Sequence, residues 1–162
     1  LSDTYSQLGY QAESGPWRNF YLTGAQDLLK KAVPYTSKLI NDGVLSQMDM
    51  GTLLDYCAIQ LNGEKAGGKE AVININFTDT KEKVMLMLKN GVLNHRLGSQ
   101  DKKADLTMEI AKMDFVKLFF GRTDLQTLRK TNKVKTTGDT KAIDMIRSAC
   151  EPADPNFNIV LP

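Results

Sequence analysis

A single histidine, His95, occurs in the 162 residues, and the two cysteines, Cys57 and Cys150, stand far from it with no paired spacing. Zinc sites need three or four such ligands grouped together, so His95 reads as a structural or surface residue. Charge of one sign is equally lacking: 21 lysines and arginines against 19 acidic residues leave a net charge of +2, with both signs interspersed. That excludes the strong basic field of a nucleic-acid or anionic-membrane binder. No run approaches about 18 consecutive apolar residues, which excludes a helical membrane span. The glycines of Gly63-Glu64-Lys65-Ala66-Gly67-Gly68-Lys69 miss the phosphate-loop pattern, because Glu70 follows Lys69 and no strand precedes them; they read as a flexible loop. Neither a methionine nor a signal-like segment opens the chain at Leu1. The expectation is a start inside a longer or processed polypeptide, and the terminus reports nothing about targeting.

What remains is an ordinary globular composition, 41% hydrophobic and 25% charged, long enough for one domain with an appendage. Three regions separate: 1–33, 34–47 and 48–162. In the first, Ser14-Gly15-Pro16 marks a helix start. Trp17, Phe20, Tyr21, Gly24, Ala25 and Leu28 then recur at helical spacing. A helical arm this short has no core of its own, and its small Gly24 and Ala25 suit close approach by another helix, from outside the chain or from a second copy. Region 34–47 reads as a connector: Pro34 stops the helix, and Asn41-Asp42-Gly43 signals a turn.

Region 48–162 reads as a self-sufficient domain. A helix after Ser46 carries Met50, Leu53, Leu54, Cys57, Ala58 and Leu61 on one stripe, ended by Asn62-Gly63. Residues 71–77 alternate as a strand. Asn90-Gly91 joins strands 82–89 and 92–97 in a hairpin, and 104–110 alternates again. A helix over 113–120 stops at Gly121, and Thr123 with Gln126 opens a second helix as a capping box. A short strand over 134–137 and the Gly138-Asp139 turn lead into a last helix, which Asp139 caps. The apolar tail 157–161 docks. The expected fold is α+β: a mainly antiparallel five-stranded sheet, its first four strands a meander, with helices packed on one face after a helical arm. Val84-Met85-Leu86-Met87-Leu88 is apolar on both faces. Its second face is therefore covered by parts of a longer protein outside this chain or by a partner, or borders a cavity. The cysteines fall among apolar helix residues and read as buried free thiols rather than a disulfide.

Few residues offer chemistry. Asp79, Glu82, Asp105 and Glu109 are conceivable acid/base carboxylates, but Asp105 and Glu109 lie on the polar side of an alternating strand. Arg129, Lys130, Lys133 and Lys135 form a solvated basic face. The sequon Asn76-Phe77-Thr78 falls inside a strand and reads as coincidence. The promising feature is apolar: Phe115, Val116, Leu118, Phe119 and Phe120 with Met85, Met87 and Met108. Each alone is core by default. Together they make a flexible, methionine-rich and aromatic lining suited to irregular aliphatic ligands. The residues expected to line such a site are Phe77, Met85, Met87, Met108, Phe115, Leu118 and Phe119.

The order of motifs resembles known families. Asn90-Gly91-Val92-Leu93, Ala104-Asp105-Leu106-Thr107-Met108, the helix from Asp114-Phe115 to Phe120-Gly121, and Thr137-Gly138-Asp139 resemble the sterol carrier protein 2 fold. A closer resemblance is to the zinc-dependent alkylsulfatases, metallo-β-lactamase-fold hydrolases of alkyl sulfates. It rests on Phe77-Thr78-Asp79-Thr80, Asn90-Gly91-Val92-Leu93-Asn94-His95, Gly138-Asp139 and the ending Asn156-Phe157-Asn158-Ile159-Val160-Leu161-Pro162. The run from Leu8-Gly9-Tyr10-Gln11 through Ser14-Gly15-Pro16-Trp17 to Leu22-Thr23-Gly24-Ala25 is similar to the end of that family's dimerisation domain. The resemblance implies a dimerisation segment over 1–33, a linker over 34–47 and a sterol-carrier-like C-terminal domain over 48–162. It implies a homodimer in the full-length protein and long-chain alkyl sulfates as ligands. The zinc belongs to a separate catalytic domain of the same parent chain with a His-x-His-x-Asp-His motif. That motif is missing here, so the resemblance implies no catalytic residue and no cofactor in this chain. A free-standing lipid carrier and a purely structural, dimer-stabilising domain stay open as alternatives. The compartment is open too; the resemblance is compatible with a periplasmic or secreted protein.

Overall fold

The computed structural model describes residues 1–30 and 41–151. The helix stop at Pro34 and the tail 157–161 lie outside them. The described residues fall into two compact units, one within 1–38 and one within 39–152.

The first unit is a helical hairpin of α1 (Ser2–Gln11) and α2 (Gly15–Lys30). α2 starts where Ser14-Gly15-Pro16 places it. α1 was not foreseen, because its polar sequence carries little apolar periodicity. It answers the small-residue stripe of α2: Gly9, Gly24 and Ala25 are buried, and Ser2 Oγ donates to the Ala25 carbonyl at 2.9 Å. A Cβ on Gly9 would come within 2.7 Å of the Leu22 side chain, which would have to shift to admit it. The close approach is thus made by the chain itself. Trp17 and Phe20 remain 65% and 58% exposed.

The second unit begins with α3 (Asp42–Gln47), in the stretch read as a connector. Asn41 is a helix cap rather than a turn residue, its side chain accepting from the Val44 N–H at 3.1 Å. α4 (Met50–Ile59) is capped by Asp49, whose carboxylate accepts from the Thr52 N–H at 2.9 Å. α4 ends earlier than expected, since Asn62 opens the one-turn helix α5 (Gly63–Ala66) inside the presumed glycine loop. The sheet comprises β1 (Ala71–Phe77), β2 (Lys83–Lys89), β3 (Val92–Leu97), β4 (Leu106–Ile110) and β5 (Val134–Gly138), in the order β3-β2-β1-β4-β5. Asn90 and Gly91 both take positive φ, 53° and 72°, as a two-residue β2–β3 hairpin requires.

The sheet has five strands and is mainly antiparallel, as expected, but its first four strands are not a meander. β4 pairs with β1 in parallel, Ile73 opposite Leu106 and Ile75 opposite Met108. The connection after β3 crosses back over the sheet to reach that position. Asn74 holds it there: its side chain donates to the Asp101 carbonyl at 2.7 Å and accepts from the Asp101 N–H at 3.0 Å. Asn74 is the register partner of Met85, so the chain's own crossing segment contributes to the cover that leaves Met85 5% exposed.

The other face of the sheet carries the core. Ile73, Ile75, Phe77, Val84, Leu86, Leu88, Leu106, Met108 and Ile110 are buried there with α4, α6 (Lys112–Phe119) and α8 (Lys141–Ala149). Gly121, with φ of 70°, ends α6 in a left-handed cap, and the Arg122 N–H donates to the Lys117 carbonyl at 2.8 Å. α7 (Leu125–Lys130) is capped by Asp124 rather than Thr123. The Asp124 carboxylate accepts from both the Thr127 N–H and hydroxyl at 2.8 Å. Asp139 accepts from the Lys141 N–H at 2.9 Å at the start of α8.

One buried charge ties these elements together. Lys112 is 8% exposed, and its ammonium donates to the carbonyls of Ser46, at 3.0 Å, and Met48, fastening α6 to the end of α3. Its backbone N–H donates to the Asp79 carboxylate at 3.0 Å. Asp79, considered above as an acid/base group, is a helix cap.

Candidate functional site

The conceivable acid/base carboxylates are occupied structurally or lie in solvent. Asp105 accepts from the Val72 N–H at 2.8 Å, and Glu109 pairs with Lys135 at 3.8 Å; Glu82 is exposed. His95 Nδ1 lies 3.6 Å from the Asp55 carboxylate and joins β3 to α4. Within the basic cluster, Lys133 pairs with Asp114 at 3.4 Å and Arg129 donates to the Thr136 hydroxyl. Among the described residues no three His, Cys, Asp or Glu side chains come together as metal ligands would.

The apolar candidates divide between the two faces of the sheet. Side chains alternate along a strand, so Met85 and Met87, flanked by Val84, Leu86 and Leu88 on the core face, point to the opposite face. No single pocket can hold all seven candidates. The continuous apolar run concealed this, because both of its faces are covered and neither stands out by composition.

The remaining five lie on the helix side. Phe115 packs edge-on to Phe77, with ring centres 5.6 Å apart, and Phe119 follows at 5.8 Å. Phe120 meets Phe119 at 5.4 Å and Tyr56 of α4 at 5.5 Å. The aromatic file therefore runs from the sheet to the surface along α6, whose residues 115, 116, 118 and 119 bury one face at helical spacing. Met108, Phe115 and Leu118 are 0% exposed, and Phe77 only 2%. No water-sized void touches a side chain with no accessible area, so Met108, Phe115 and Leu118 are close-packed core.

Space opens at the outer end of the file. Phe119, Phe120 and Gly121 line a cleft of about 220 Å³ with Gln60, Arg147, Cys150 and Glu151. The ends of α4, α6 and α8 converge there. Backbone and side-chain links brace the junction. The Asn62 N–H donates to the Ala149 carbonyl at 2.8 Å and the Glu151 N–H to the Gln60 carbonyl at 2.8 Å. The Glu151 carboxylate accepts from Asn62 Nδ2 at 2.8 Å and pairs with Lys65, and these contacts hold it below the usual carboxylate range. Arg147 reaches Asp144, one helical turn back, at 3.5 Å.

Both cysteines are free: Cys57 is buried and Cys150 half-buried, as expected of thiols on apolar helix faces. Burial, and then the neighbouring Cys150, pushes the Cys57 thiol up to about 12; burial pushes Cys150 up to about 11. Neither is a ready thiolate. Gln60, Arg147 and Glu151 were missed as site residues, since only the fold brings the ends of α4 and α8 beside α6. The signal available in the sequence was an arginine in the last turn of a strongly amphipathic helix.

Comparison with known proteins identifies the family of the chain. The alkyl sulfatase C-terminal family matches residues 38–162, and the alkyl sulfatase dimerisation family matches residues 1–31. A linear primary-alkylsulfatase of Pseudomonas sp. is 38% identical over 99% of this chain, which covers 24% of that relative. An (R)-specific secondary-alkylsulfatase of Pseudomonas sp. is 36% identical over the same shares. The solved structure of the stereoselective inverting sec-alkylsulfatase Pisa1 from Pseudomonas sp. superposes with a TM-score of 0.86 at 34% identity, over 99% of this chain and 25% of that one. The chain thus spans about a quarter of the length of the relatives it matches. With one family model covering most of its residues and a second covering its helical hairpin, the chain belongs to the alkylsulfatase family, as its C-terminal domain preceded by dimerisation-domain sequence.

Proposed function

We propose that this chain is the non-catalytic part of an alkyl sulfate ester hydrolase and holds the aliphatic chain of the substrate for a zinc hydrolase domain outside these residues. The observation that carries the reading is the aromatic file of α6, solid at its inner end and open at Phe119 and Phe120 in a cleft. A methylene moved from water into such a site contributes about 0.8 kcal/mol. Two or three therefore raise affinity by more than an order of magnitude. That binding recruits substrate, while stabilisation of the transition state falls to the metal domain. Phe119 is the candidate that ligand meets first. Phe77, Met108, Phe115 and Leu118 form the floor behind it, and Met85 and Met87 belong to the outer face of the sheet.

The purified chain is expected to bind decyl and dodecyl amphiphiles below their micelle concentrations, by calorimetry, and to release no sulfate from their esters with or without added zinc. Turnover would refute the division of labour. Absence of any binding would leave the structural alternative, which the close packing of Phe115 and Leu118 favours.

The first unit is proposed to meet a second copy of the chain through Trp17 and Phe20, large apolar side chains left in solvent on α2. Sedimentation velocity is expected to show a dimer for the chain and a monomer for Trp17→Glu. A dimer surviving that substitution would move the contact elsewhere.

A further inference from the structure

We infer that Asn90 is a site of spontaneous covalent modification: the Gly91 nitrogen attacks its side-chain amide, and the β2–β3 turn is rebuilt with an isoaspartate. The inference stands apart from the chain-binding reading, since it concerns the chemistry of the main chain itself.

Asparagine followed by glycine is where this attack meets least hindrance. Glycine has no side chain to shield its nitrogen, and it lets the peptide plane before it rotate freely. The sequence holds two such pairs, Asn62-Gly63 and Asn90-Gly91, and the fold treats them differently. Asn62 is half-buried and fully engaged. Its Oδ1 accepts from the N–H groups of Glu64 and Lys65 at 3.0 and 3.1 Å, and its Nδ2 donates to the Glu151 carboxylate at 2.8 Å. Asn90 is exposed, and its side chain has no hydrogen-bond partner among the described residues. The Gly91 N–H is also spare: it sits between the paired residues Lys89 and Val92 and donates to no backbone carbonyl. At Asn90 the nucleophile and the group it attacks are therefore both unengaged, whereas at Asn62 three hydrogen bonds that favour the resting conformation must break first.

The Gly91 nitrogen gives up its proton to solvent and bonds to Cγ of Asn90. Nδ2 takes up a proton and leaves as ammonia, closing a five-membered imide. Water then adds to one of the two imide carbonyls. Addition at Cγ restores the ordinary main chain with an aspartate. Addition at the backbone carbonyl breaks the original peptide bond, and the chain then runs through the side chain as isoaspartate. Water is the sole co-reactant, and no electrons are exchanged.

The two products differ in consequence. Asp-Gly suits a two-residue hairpin as well as Asn-Gly does, so the new charge alone is tolerated. Isoaspartate adds a main-chain atom to that turn, and the Lys89–Val92 pair that closes it is lost. The turn has no room to bulge toward α5, because a Cβ on Gly91 would already lie 3.1 Å from the Gly63 carbonyl oxygen. Gly63 opens the short helix whose cap Asn62, together with Lys65, holds Glu151. Conversion of one surface turn thus reaches α5 and, through it, Glu151.

The purified chain is aged in mildly alkaline buffer. Peptide mass spectrometry locates the converted sites, and enzymatic methylation marks isoaspartate. In the folded chain Asn90 is expected to convert at least about tenfold faster than Asn62, the difference made by hydrogen bonds that one site must shed first. In concentrated urea the two are expected to convert at similar rates. Conversion of Asn62 as fast as Asn90 in the folded chain, or no conversion of Asn90 there, overturns the site. The isoaspartate fraction, separated by ion exchange, is expected to unfold at lower urea concentration than the fresh chain and than Asn90→Asp. An isoaspartate fraction as stable as Asn90→Asp overturns the consequence drawn for the turn.

Discussion

Replacing Gly138 by alanine is expected to destabilise the second unit by about 4 kcal/mol or more, in the range where single substitutions have one identifiable cause. Gly138 has φ of 104°, a conformation L-residues rarely adopt. A Cβ there would lie 2.3 Å from the Asp105 carbonyl oxygen and 3.2 Å from the Leu106 Cα. Both are backbone atoms of the segment paired with β5, so no rotamer change relieves the clash. Moving the backbone instead would break the bond from the Asp139 N–H to the Asp105 carbonyl, 2.8 Å long, and the Leu106–Gly138 register. Gly121→Ala is the matched control. Its φ of 70° is also positive, but the space around it is open, leaving only the intrinsic left-handed penalty of about 1–2 kcal/mol. Urea denaturation followed by circular dichroism separates the two. If Gly138→Ala costs no more than Gly121→Ala, the close approach of β5 to residue 105 is not as described.

Phe115→Ala is the second large effect, expected at about 3–5 kcal/mol. The ring is 0% exposed and wedged between Phe77 and Phe119, so its removal leaves a hole that the rigid sheet behind it cannot collapse to fill. The same hole adjoins the side chain that lines the cleft. A decyl chain is therefore expected to raise the melting temperature of Phe115→Ala more than that of the unaltered chain, since ligand stabilisation grows with affinity. Met87→Ala, on the opposite face and half-buried, is expected to cost under about 1 kcal/mol and to leave ligand stabilisation unchanged. A ligand effect of Met87→Ala matching that of Phe115→Ala would put chain binding on the wrong face of the sheet.

These two residues also show what one-dimensional reading can reach. The Gly138-Asp139 turn, the Asn90-Gly91 hairpin and the glycine stop at 121 are local: each follows from the φ values its residues tolerate, and each appears as expected. The α6 stripe was recoverable from spacing for the same reason. Pairings between distant segments were not. That β4 runs parallel to β1 depends on the crossing segment latched by Asn74 and Asp101, whose two hydrogen bonds no periodicity reveals. The grouping of Met85 and Met87 with Phe115 failed because a run apolar at every position hides its own alternation. Nothing local marks Lys112 for burial; only the fold brings the carbonyls of Ser46 and Met48 around its ammonium.

The position of the single tryptophan has a spectroscopic consequence. Trp17 lies in the helical hairpin, largely in water, while the sheet and its core contain no indole. Emission excited at the red edge of protein absorbance therefore reports the first unit and is blind to loss of the second. A variant such as Gly138→Ala would look intact by fluorescence with its sheet already gone, whereas a shift of the emission to shorter wavelength would signal the covering of α2 by a partner.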